Sequence, residues 1–528
     1  MPKQTRLNPF LQPAWAALAL LAVLWSAAGA ATGGVIDDLR IVALEGIVTP
    51  VGEVVELAAP VSDAAGNVGF SGVLDNGGDD DTFLWIGAGP VWRNSDELSR
   101  TLSGGLGPVG ISQTGGFLYS PTVDGLDSVW SHNGLVALES EPAPGFPEGT
   151  VTTFHNRPSM TSGGTAYWVS GFNESGGGAT EGRALYRAID ANPGSIEIVL
   201  RADDVIDGFA IARGAGIDLD YSISDDGQHH VQPLSMVTGS PHDDEFLYVD
   251  GTLVAREGDP TGSGDLWQSF DLVAVNDQGT YLASGDTDGA SSSDAFLLVD
   301  GTIVVREGEM LAGLELTSPG AVQALALNNQ NHAAFAWSIA DAGESLFHTC
   351  DAGDLSAAVE LLSTGDRLDS DGDGTPDTLI RELHGGAGGG PSIALSDDGV
   401  LHVEAEVDLG DGPRDAMLEI ETPGCHQMTA QLIGDCPGTV TLRVIDGTAG
   451  GLVQLLLAAD LGNEPVSEGN CTGILTRLSG YIWVATLALD VTGRLELSPT
   501  APDSICGGHV QLVDVTTCGV SNVVTLPE

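Results

Sequence analysis

The sequence predicts an all-β fold in which seven repeated units form a β-propeller, followed by a small disulfide-stapled β-sandwich domain. Three observations support this: a turn-and-strand pattern that recurs seven times, short runs that alternate apolar and polar residues, and a cluster of cysteines near the C-terminus. The composition, with 73 glycines and 42% hydrophobic residues, fits short strands joined by many turns and not a disordered chain.

Each repeat starts with a polar turn that leads into a short apolar strand. Asp and Asn side chains bond the backbone and Gly tolerates positive φ, so these residues favour a turn. A unit of about 40–50 residues has the size of one four-stranded propeller blade. The predicted turns begin at Ser62, Ser112, Thr161, Ser224, Asn276, Asn328 and Ser396.

Later parts of the repeat predict two more strands. Residues 254–258 (VAREG) and 304–308 (VVREG) are near copies, and the Asp-Gly pairs at 250–251 and 300–301 predict tight hairpins before them. The third unit has Arg183 where the others have an acidic residue. Those acidic residues lie two positions before an apolar strand, at Asp81, Asp127, Asp244, Asp294, Glu344 and Asp415.

The two ends of the repeat region predict that it closes into a ring. Residues 42–46 (VALEG) match the last strand of a unit although no unit precedes them, and the seventh unit ends near Ile420 without such a strand. We therefore predict that residues 40–46 share a sheet with residues 396–420, because closure removes exposed sheet edges. An open β-solenoid, two β-sandwich domains and a propeller with another blade number are the alternatives.

The N-terminal residues 1–30 have the pattern of a secretory signal peptide. Lys3 and Arg6 precede an uncharged run at 14–25, and 28–30 (AGA) matches a cleavage site. A membrane anchor is the alternative, but it needs about 20 apolar residues. We predict a secreted or cell-surface protein without a transmembrane segment after cleavage, with a repeat domain at 31–424 and a β-sandwich-like domain at 425–528.

The cysteines indicate disulfide bonds, since an even number in an exported chain is typical of a disulfide framework. Paired C-x2-C spacings, which zinc knuckles need, do not occur. Six cysteines allow fifteen pairings. Proximity in sequence favours Cys436–Cys471 and Cys506–Cys518, which leaves Cys350 for Cys425.

The net charge of −56 restricts the partners of the protein. The only lysine, Lys3, lies in the predicted signal peptide, so the mature surface offers no lysine to a phosphate backbone. This argues against nucleic-acid binding and against attraction to anionic membranes. Two interpretations of the acidity stay open, solubility in a salty medium and collection of divalent cations.

One acidic segment predicts a calcium site. Carboxylates stand at positions 1, 3, 5 and 9 of a loop with Gly at position 6, as at the start of an EF-hand-like loop. Position 12 is Ile380, so the usual bidentate glutamate is missing, and a solvated acidic turn is the alternative. The predicted ligands are Asp369, Asp371, Asp373, the Thr375 carbonyl and Asp377.

No sequence motif supports a particular reaction. The chain has no H-E-x-x-H, G-x-S-x-G or P-loop pattern. Tryptophans recur on repeat strands at 85, 130, 168 and 337, which indicates packing between blades more than sugar stacking. The leading hypothesis is a non-catalytic binding or structural protein for an extracellular protein or glycan. The alternative is a hydrolase or lyase with carboxylates at the propeller channel, and convergent titratable side chains there would favour it.

Two stretches of the chain resemble a family. Residues 62–70 (SDAAGNVGF) and 328–335 (NNQNHAAF) resemble tandem repeats of N-x-x-G-x-x-A-F type in secreted bacterial proteins. The stretch from Cys436-Pro437-Gly438 to 517–524 (TCGVSNVV) resembles a small β domain attached to such proteins. Only units one and six carry the Phe, and unit six has Asn331 where Gly is usual. The resemblance implies export and a repeat fold, and no reaction.

Overall fold

The structure is a computed structural model of the chain. It describes residues 39–49, 52–63, 66–75, 82–87, 89–93, 102, 106–317, 322–340, 343–355, 358–368, 376–383, 393–410, 412–422, 428–434, 436–445, 447–448, 450–466, 471, 474–490, 494–502, 505–516, 518–521 and 523–526. Within these ranges the secondary structure is β, with two short 3₁₀ helices at Ile189–Ala191 and Pro193–Ser195. None of the described helices has the length and apolarity to cross a membrane.

The chain divides into two compact units, residues 1–423 and 424–528. The strands of the first unit are, in chain order, β1 (Leu39–Leu44), β2 (Val48–Thr49), β3 (Gly52–Leu57), β4 (Val61–Ser62), β5 (Val68–Asp75), β6 (Thr82–Ile86), β7 (Gly89–Arg93), β8 (Val109–Ile111), β9 (Phe117–Tyr119), β10 (Thr122–Val123), β11 (Leu126–Ser131), β12 (Gly134–Leu138), β13 (Val151–Met160), β14 (Ala166–Asn173), β15 (Gly182–Ala188), β16 (Ile196–Arg201), β17 (Val205–Ile206), β18 (Phe209–Ala210), β19 (Ser222–Ile223), β20 (His230–Ser235), β21 (Glu245–Val249), β22 (Thr252–Arg256), β23 (Val273–Val275), β24 (Tyr281–Asp286), β25 (Ala295–Val299), β26 (Thr302–Arg306), β27 (Met310–Leu311), β28 (Leu314–Glu315), β29 (Val322–Leu327), β30 (Ala333–Ile339), β31 (Gly343–Thr349), β32 (Val359–Ser363), β33 (Arg367–Leu368), β34 (Thr378–Glu382), β35 (Ile393–Leu395), β36 (Val400–Asp408) and β37 (Pro413–Glu421).

These strands form seven antiparallel sheets of four to six strands, one for each predicted repeat. Two short hairpins, β17–β18 and β27–β28, lie between sheets. We number the sheets by repeat: sheet 1 is β2 to β7, sheet 2 is β8 to β12, sheet 3 is β13 to β16, sheet 4 is β19 to β22, sheet 5 is β23 to β26, sheet 6 is β29 to β32, and sheet 7 is β33 to β37 with β1.

The sheets follow one another in a closed circle. The strand before each turn contacts its counterpart in the next sheet: β4 with β8, β8 with β13, β19 with β23, β23 with β29, β29 with β35, and β35 with β4. Sheets 3 and 4 share a hydrophobic core that contains Leu185 and Leu234. A closed circle of small antiparallel sheets is the architecture of a β-propeller.

The predicted closure by the N-terminal strand is confirmed. Strand β1 pairs antiparallel with β37, from Leu39 opposite Ile420 to Leu44 opposite Ala416. Ile41 and Leu44 are 4% and 7% exposed and lie in the core of sheet 7 with Leu418. The first and last segments of the unit therefore share one sheet, which leaves β37 without an open edge.

The second unit is a small sandwich of two sheets. Its strands are β38 (Thr429–Gly434), β39 (Gly438–Ile445), β40 (Leu452–Ala458), β41 (Asp460–Pro465), β42 (Leu475–Ser479), β43 (Ile482–Ala488), β44 (Leu495–Leu497), β45 (Thr500–Ala501), β46 (His509–Asp514) and β47 (Val524–Thr525). One sheet runs β38-β39-β44 with β45 beside β39, and the other runs β43-β40-β46-β47. Leu442 and Val444 of the first sheet pack against Val453 and Leu512 of the second.

The predicted disulfide pairing in this unit is wrong. The bonds are Cys436–Cys506 and Cys471–Cys518, with Cα atoms 5.5 and 5.2 Å apart. The reason is the strand order: β39 pairs with β45, which brings the residues after Cys436 beside the segment that leads to Cys506. Proximity in sequence was therefore a poor guide, because the partners meet through sheet pairing.

The remaining two cysteines are Cys350 and Cys425. Cys350 is disulfide-bonded. Cys425, which we predicted as its partner, lies outside the described residues. The pairing of Cys350 with Cys425 therefore stays a prediction.

Candidate functional site: a belt of polar turns

The seven polar turns share one backbone geometry. In each, the N–H of the fourth residue donates to the carbonyl of the first. The side-chain oxygen of the first residue accepts a backbone N–H just after the turn, in all seven repeats. We call these turns the turn belt; they begin at Asp63, Ser112, Thr161, Ser224, Asn276, Asn328 and Ser396. The first one starts one residue after the predicted Ser62.

This geometry explains which residues the turns contain. The first residue must carry a short side chain with an oxygen acceptor, and it is buried in every repeat, from 1% exposed at Ser224 to 5% at Asp63. The fourth residue has a positive φ in every repeat, which favours glycine. Asn331 is the exception in sequence, with a φ of 64°, and Asn tolerates this region better than most residues do.

Side chains at the second turn position connect the turns of neighbouring sheets. The Asp277 carboxylate accepts the N–H of Asp226 at 2.8 Å, and the Asn329 amide oxygen accepts the N–H of Asp277 at 2.8 Å. The Asp397 carboxylate accepts the N–H of Asn329 at 2.7 Å. Sheets 4, 5, 6 and 7 are thus joined through their turns by one chain of hydrogen bonds.

One side chain reaches further across the belt. The Asn329 Nδ2 group donates to Asp225 at 2.9 Å and to Asp397 at 3.2 Å, so carboxylates from sheets 4 and 7 meet at one amide. Burial raises the pKa of Asp225 to about 6, with further increases from Asp277 and Asp397 and an opposing effect from Asn329. Burial also raises the pKa of Asp277.

This convergence supports a structural role more than a catalytic one. Titratable side chains from different sheets do meet, which by itself would favour an enzyme. However, the carboxylates of Asp277 and Asp397 already accept backbone N–H groups. Ser224 and Ser396 donate their hydroxyls to Asp226 and Asp398 of the same turns. Both serines are only 1% exposed and their hydroxyls also accept backbone N–H groups, so they act as parts of the turn and not as free nucleophiles.

A second set of carboxylates lies between sheets 4 and 5. Glu245 begins β21 and accepts the N–H of Phe270 at 2.6 Å. Burial raises the pKa of Glu245 to about 7 against the lowering effect of the Phe270 N–H, and the Asp271 carboxylate adds a smaller increase. Burial raises the pKa of Asp271 itself to about 6, and Asp220 nearby forms an ion pair with Arg157 at 2.6 Å. Among the described residues, no group of His, Cys, Asp or Glu has the arrangement of a metal site.

Most of the predicted calcium loop lies outside the described residues. Asp369, Asp371, Asp373 and Thr375 fall in the gap 369–375. Asp377 is described, and its N–H donates to the Leu368 carbonyl at 2.9 Å. Strands β33 and β34 pair on either side, with Leu368 opposite Thr378. The loop is therefore the connection of a hairpin in sheet 7.

Sequence reasoning identified the turns but missed the links between them. Asp225, Asp277, Asn329 and Asp397 all occupy the second turn position, and that shared spacing was a usable signal. The pairing of Asn329 with Asp225 had no such signal, because the two residues are 104 positions apart and meet only through the closed ring.

No protein-family model and no curated protein matches the chain. Its structure is similar to prolyl oligopeptidase B from Galerina marginata, with a TM-score of 0.36 and 10% identity over 75% of this chain, and it spans 56% of that protein. It is also similar to the Dos1 propeller, with a TM-score of 0.32 and 9% identity over 75% of this chain and 96% of the other. It is similar as well to virginiamycin B lyase from Staphylococcus aureus, with a TM-score of 0.32 and 8% identity over 73% of this chain and 99% of that protein.

These similarities are too low to carry an argument about function. The fold assignment rests instead on the cyclic contacts among the sheets and on the pairing of β1 with β37. The chain is an all-β protein whose first unit is a β-propeller and whose second unit is a small disulfide-bonded sandwich.

Proposed function

We propose that this is an exported β-propeller protein with a non-catalytic binding role and one calcium-stabilised loop. The observation that carries this proposal is the turn belt, where side chains suited to chemistry instead hold neighbouring turns together. A ring fastened in this way is a rigid platform for loops that contact an extracellular protein or glycan. The acidic surface argues against nucleic acid as a partner.

The calcium part of the proposal rests on charge and on the hairpin. Asp369, Asp371, Asp373 and Asp377 lie close in sequence, so their carboxylates repel one another without a cation. The pairing of Leu368 with Thr378 holds both ends of the segment together. A bound Ca²⁺ would offset the repulsion, with the Thr375 carbonyl as a further ligand, and would stabilise the folded state.

Thermal unfolding and limited proteolysis test the calcium loop. We expect EDTA to lower the melting temperature of the mature protein or to increase cleavage at residues 366–382, and excess Ca²⁺ to reverse the effect. Asp371→Ala with Asp373→Ala should abolish this response. Glu148→Ala with Asp259→Ala, which removes two exposed carboxylates on other loops, should leave it unchanged. A response equal in both double variants would contradict a site at this loop.

Binding and turnover measurements test the non-catalytic role. We expect the immobilised mature protein to bind a member of a glycan array or an extracellular protein extract saturably, and Asp225→Asn to leave that binding intact. Turnover of nitrophenyl ester or glycoside substrates that is abolished by Asp225→Asn would contradict the proposal and assign catalysis to the belt.

A carboxylate-based hydrolase or lyase is the second candidate, and one observation favours it. Burial raises the pKa of Glu245 to about 7, which would suit a general acid at neutral pH. For this candidate, Glu245→Gln should abolish turnover on the same substrates, whereas Glu148→Gln on an exposed loop should not. Turnover that survives Glu245→Gln would exclude this residue as the acid.

A further inference from the structure

A cavity of about 290 Å³ lies between sheets 2 and 3 of the propeller, away from the turn belt and the calcium loop. Its walls are mainly apolar: residues 135–138 of β12 on one side, Pro193 and Ile196 on the other, and two prolines of the connection between the sheets. His155, Trp168 and Tyr186 of sheet 3 also line it. An apolar cavity with a few polar groups is the usual form of a small-molecule site, and this one is near the lower end of the size range.

Two polar atoms of these lining residues lack a hydrogen-bond partner among the residues that the structure describes. They are Nε1 of Trp168 and the hydroxyl oxygen of Tyr186. Both side chains are deeply buried, at 1% exposure each. An unsatisfied buried polar group costs about 1–3 kcal/mol, so two on one wall of a cavity favour an occupant that can bond to them.

The chemistry of these groups restricts the occupant. The Trp168 indole N–H can only donate, so the occupant needs an acceptor there, whereas the Tyr186 hydroxyl can donate or accept. The two rings are stacked with their centroids 5.7 Å apart, which fixes their orientation. The occupant therefore presents at least one acceptor toward sheet 3 and an apolar body toward β12.

The electrostatics of the cavity favour a neutral occupant. Neither Lys nor Arg lines it, and its one acidic lining residue, Glu141, is exposed. His155 shares a hydrogen bond of 2.7 Å between Nδ1 and the Ser170 hydroxyl. Burial lowers the pKa of His155 to about 4 against an opposing effect of the Leu138 carbonyl, so the ring is neutral at pH 7. Burial raises the pKa of Tyr186 and the charge of Arg201 opposes this rise, but Arg201 is not a lining residue, so a charged molecule would lose its hydration here without a counter-ion in contact.

We propose that this cavity is a binding site for an uncharged organic molecule of about one ring, with a hydrogen-bond acceptor that contacts Trp168 and Tyr186. This assignment goes beyond the proposed binding role of the loops, shares no residue with the turn belt and does not depend on calcium. The sequence pattern indicated only packing between blades for Trp168. In this proposal Trp168 also contacts the bound molecule.

Three fluorinated probes of similar shape test the proposal by broadening of their ¹⁹F resonances with the mature protein. 4′-Fluoroacetophenone carries an acceptor, 1-ethyl-4-fluorobenzene lacks one, and 4-fluorobenzoate is charged. We expect the ketone to bind most tightly and the benzoate least. Trp168→Phe removes the indole N–H and should weaken binding of the ketone about fivefold or more, with little effect on the ethyl compound.

Trp337→Phe is the matched control, because Trp337 is 0% exposed and its Nε1 also lacks a partner among the described residues, but it does not line this cavity. It should leave binding of all three probes unchanged. If Trp168→Phe fails to fold, Tyr186→Phe decides the question in the same way. Equal binding of the ketone by wild type and Tyr186→Phe or Trp168→Phe would overturn the proposal. So would the absence of broadening together with a crystal structure in which ordered water alone satisfies Trp168 Nε1 and the Tyr186 hydroxyl.

Discussion

At the scale of single residues, the turn belt shows how a degenerate pattern encodes one geometry. The first position varies among Asp, Ser, Thr and Asn, yet each supplies the same oxygen acceptor to the backbone after the turn. The fourth position is Gly in six repeats and Asn331 in the sixth unit, because what the turn requires is a positive φ. Physical role, and not identity, is what repeats along the chain.

Substitutions at the fourth turn position should follow the cost of this φ. Asn331→Ala should lower the free energy of unfolding by about 1 kcal/mol, because Ala at positive φ is strained. Asn331→Gly should be close to neutral, since the strain is relieved while the 3.1 Å bond to Asp351 is lost. Gly279→Ala should cost more than either, because its Cβ would lie 2.9 Å from the His229 ring. Urea unfolding measures the free energy of unfolding of the three variants. A Gly279→Ala variant that is as stable as Asn331→Gly would contradict the expected order.

The raised pKa of Asp225 predicts a pH-dependent stability. The native state keeps a proton on this carboxyl up to a pH near 6, whereas the unfolded chain loses it near the usual value of about 3.8. Its contribution to the free energy of unfolding is therefore present at low pH and is lost as the pH rises through 6. Asp225→Asn should be more stable than wild type by about 1–3 kcal/mol at pH 7.5 and similar to it near pH 4.

The comparison with wild type isolates this effect from the buried histidines. Burial lowers the pKa of His155, His230 and His348 to about 4, so they destabilise the fold as the pH falls below 6.5 in both proteins. Asp259→Asn, at an exposed loop position, is the control. A stability difference between Asp225→Asn and wild type that does not change between pH 4 and 7.5 would contradict the raised pKa.

At the scale of elements, the strand that closes the ring is the most informative one. Strand β1 is separated from β37 by almost the whole first unit, yet its residues pair in register with one bulge between Ile41 and Ala43. Its apolar residues enter the core of sheet 7, and Arg40 stays exposed in an ion pair with Glu419. Closure thus depends on apolar burial from a six-residue strand.

Two substitutions in this strand separate burial from charge. Ile41→Ala should lower the free energy of unfolding by about 2–4 kcal/mol, because it leaves a cavity in the core of sheet 7. Arg40→Ala should cost less than about 1 kcal/mol, since its side chain is 60% exposed. Hydrogen exchange should show faster exchange of the β37 amides in Ile41→Ala only. Equal effects of the two substitutions would argue against closure by burial.

At the scale of the whole molecule, two units are stabilised by different means. The propeller has several connected hydrophobic clusters and hydrogen bonds between turns. The C-terminal unit has a smaller core and two disulfides that close segments of 70 and 47 residues. A small core gains proportionally more from such cross-links.

Removal of one disulfide should therefore affect one unit. Cys471→Ala with Cys518→Ala should lower the stability of the C-terminal unit by about 2–4 kcal/mol. Hydrogen exchange should become faster in β40 and β46 and stay unchanged in β14. Non-reducing peptide mapping of the wild type should recover Cys436–Cys506 and Cys471–Cys518. Recovery of a Cys436–Cys471 peptide would contradict the observed pairing.

The sequence by itself determined the features that depend on neighbouring residues. Turn chemistry, strand alternation and hairpins are local, so seven units and most of their strands could be predicted. Ring closure was also predictable, because the unmatched strand at 42–46 and the incomplete unit ending near Ile420 are visible in the sequence.

Only the tertiary structure decided which distant residues meet. The Asn329–Asp225 bond, the Cys471–Cys518 disulfide and the cavity with His155, Trp168 and Tyr186 each join segments that lie on different strands or sheets. No local pattern specifies such contacts, since the same turn or strand sequence is compatible with many neighbours. They arise when the closed ring and the sheet order of the sandwich bring the segments together, and burial then makes their hydrogen bonds and their unsatisfied groups energetically important.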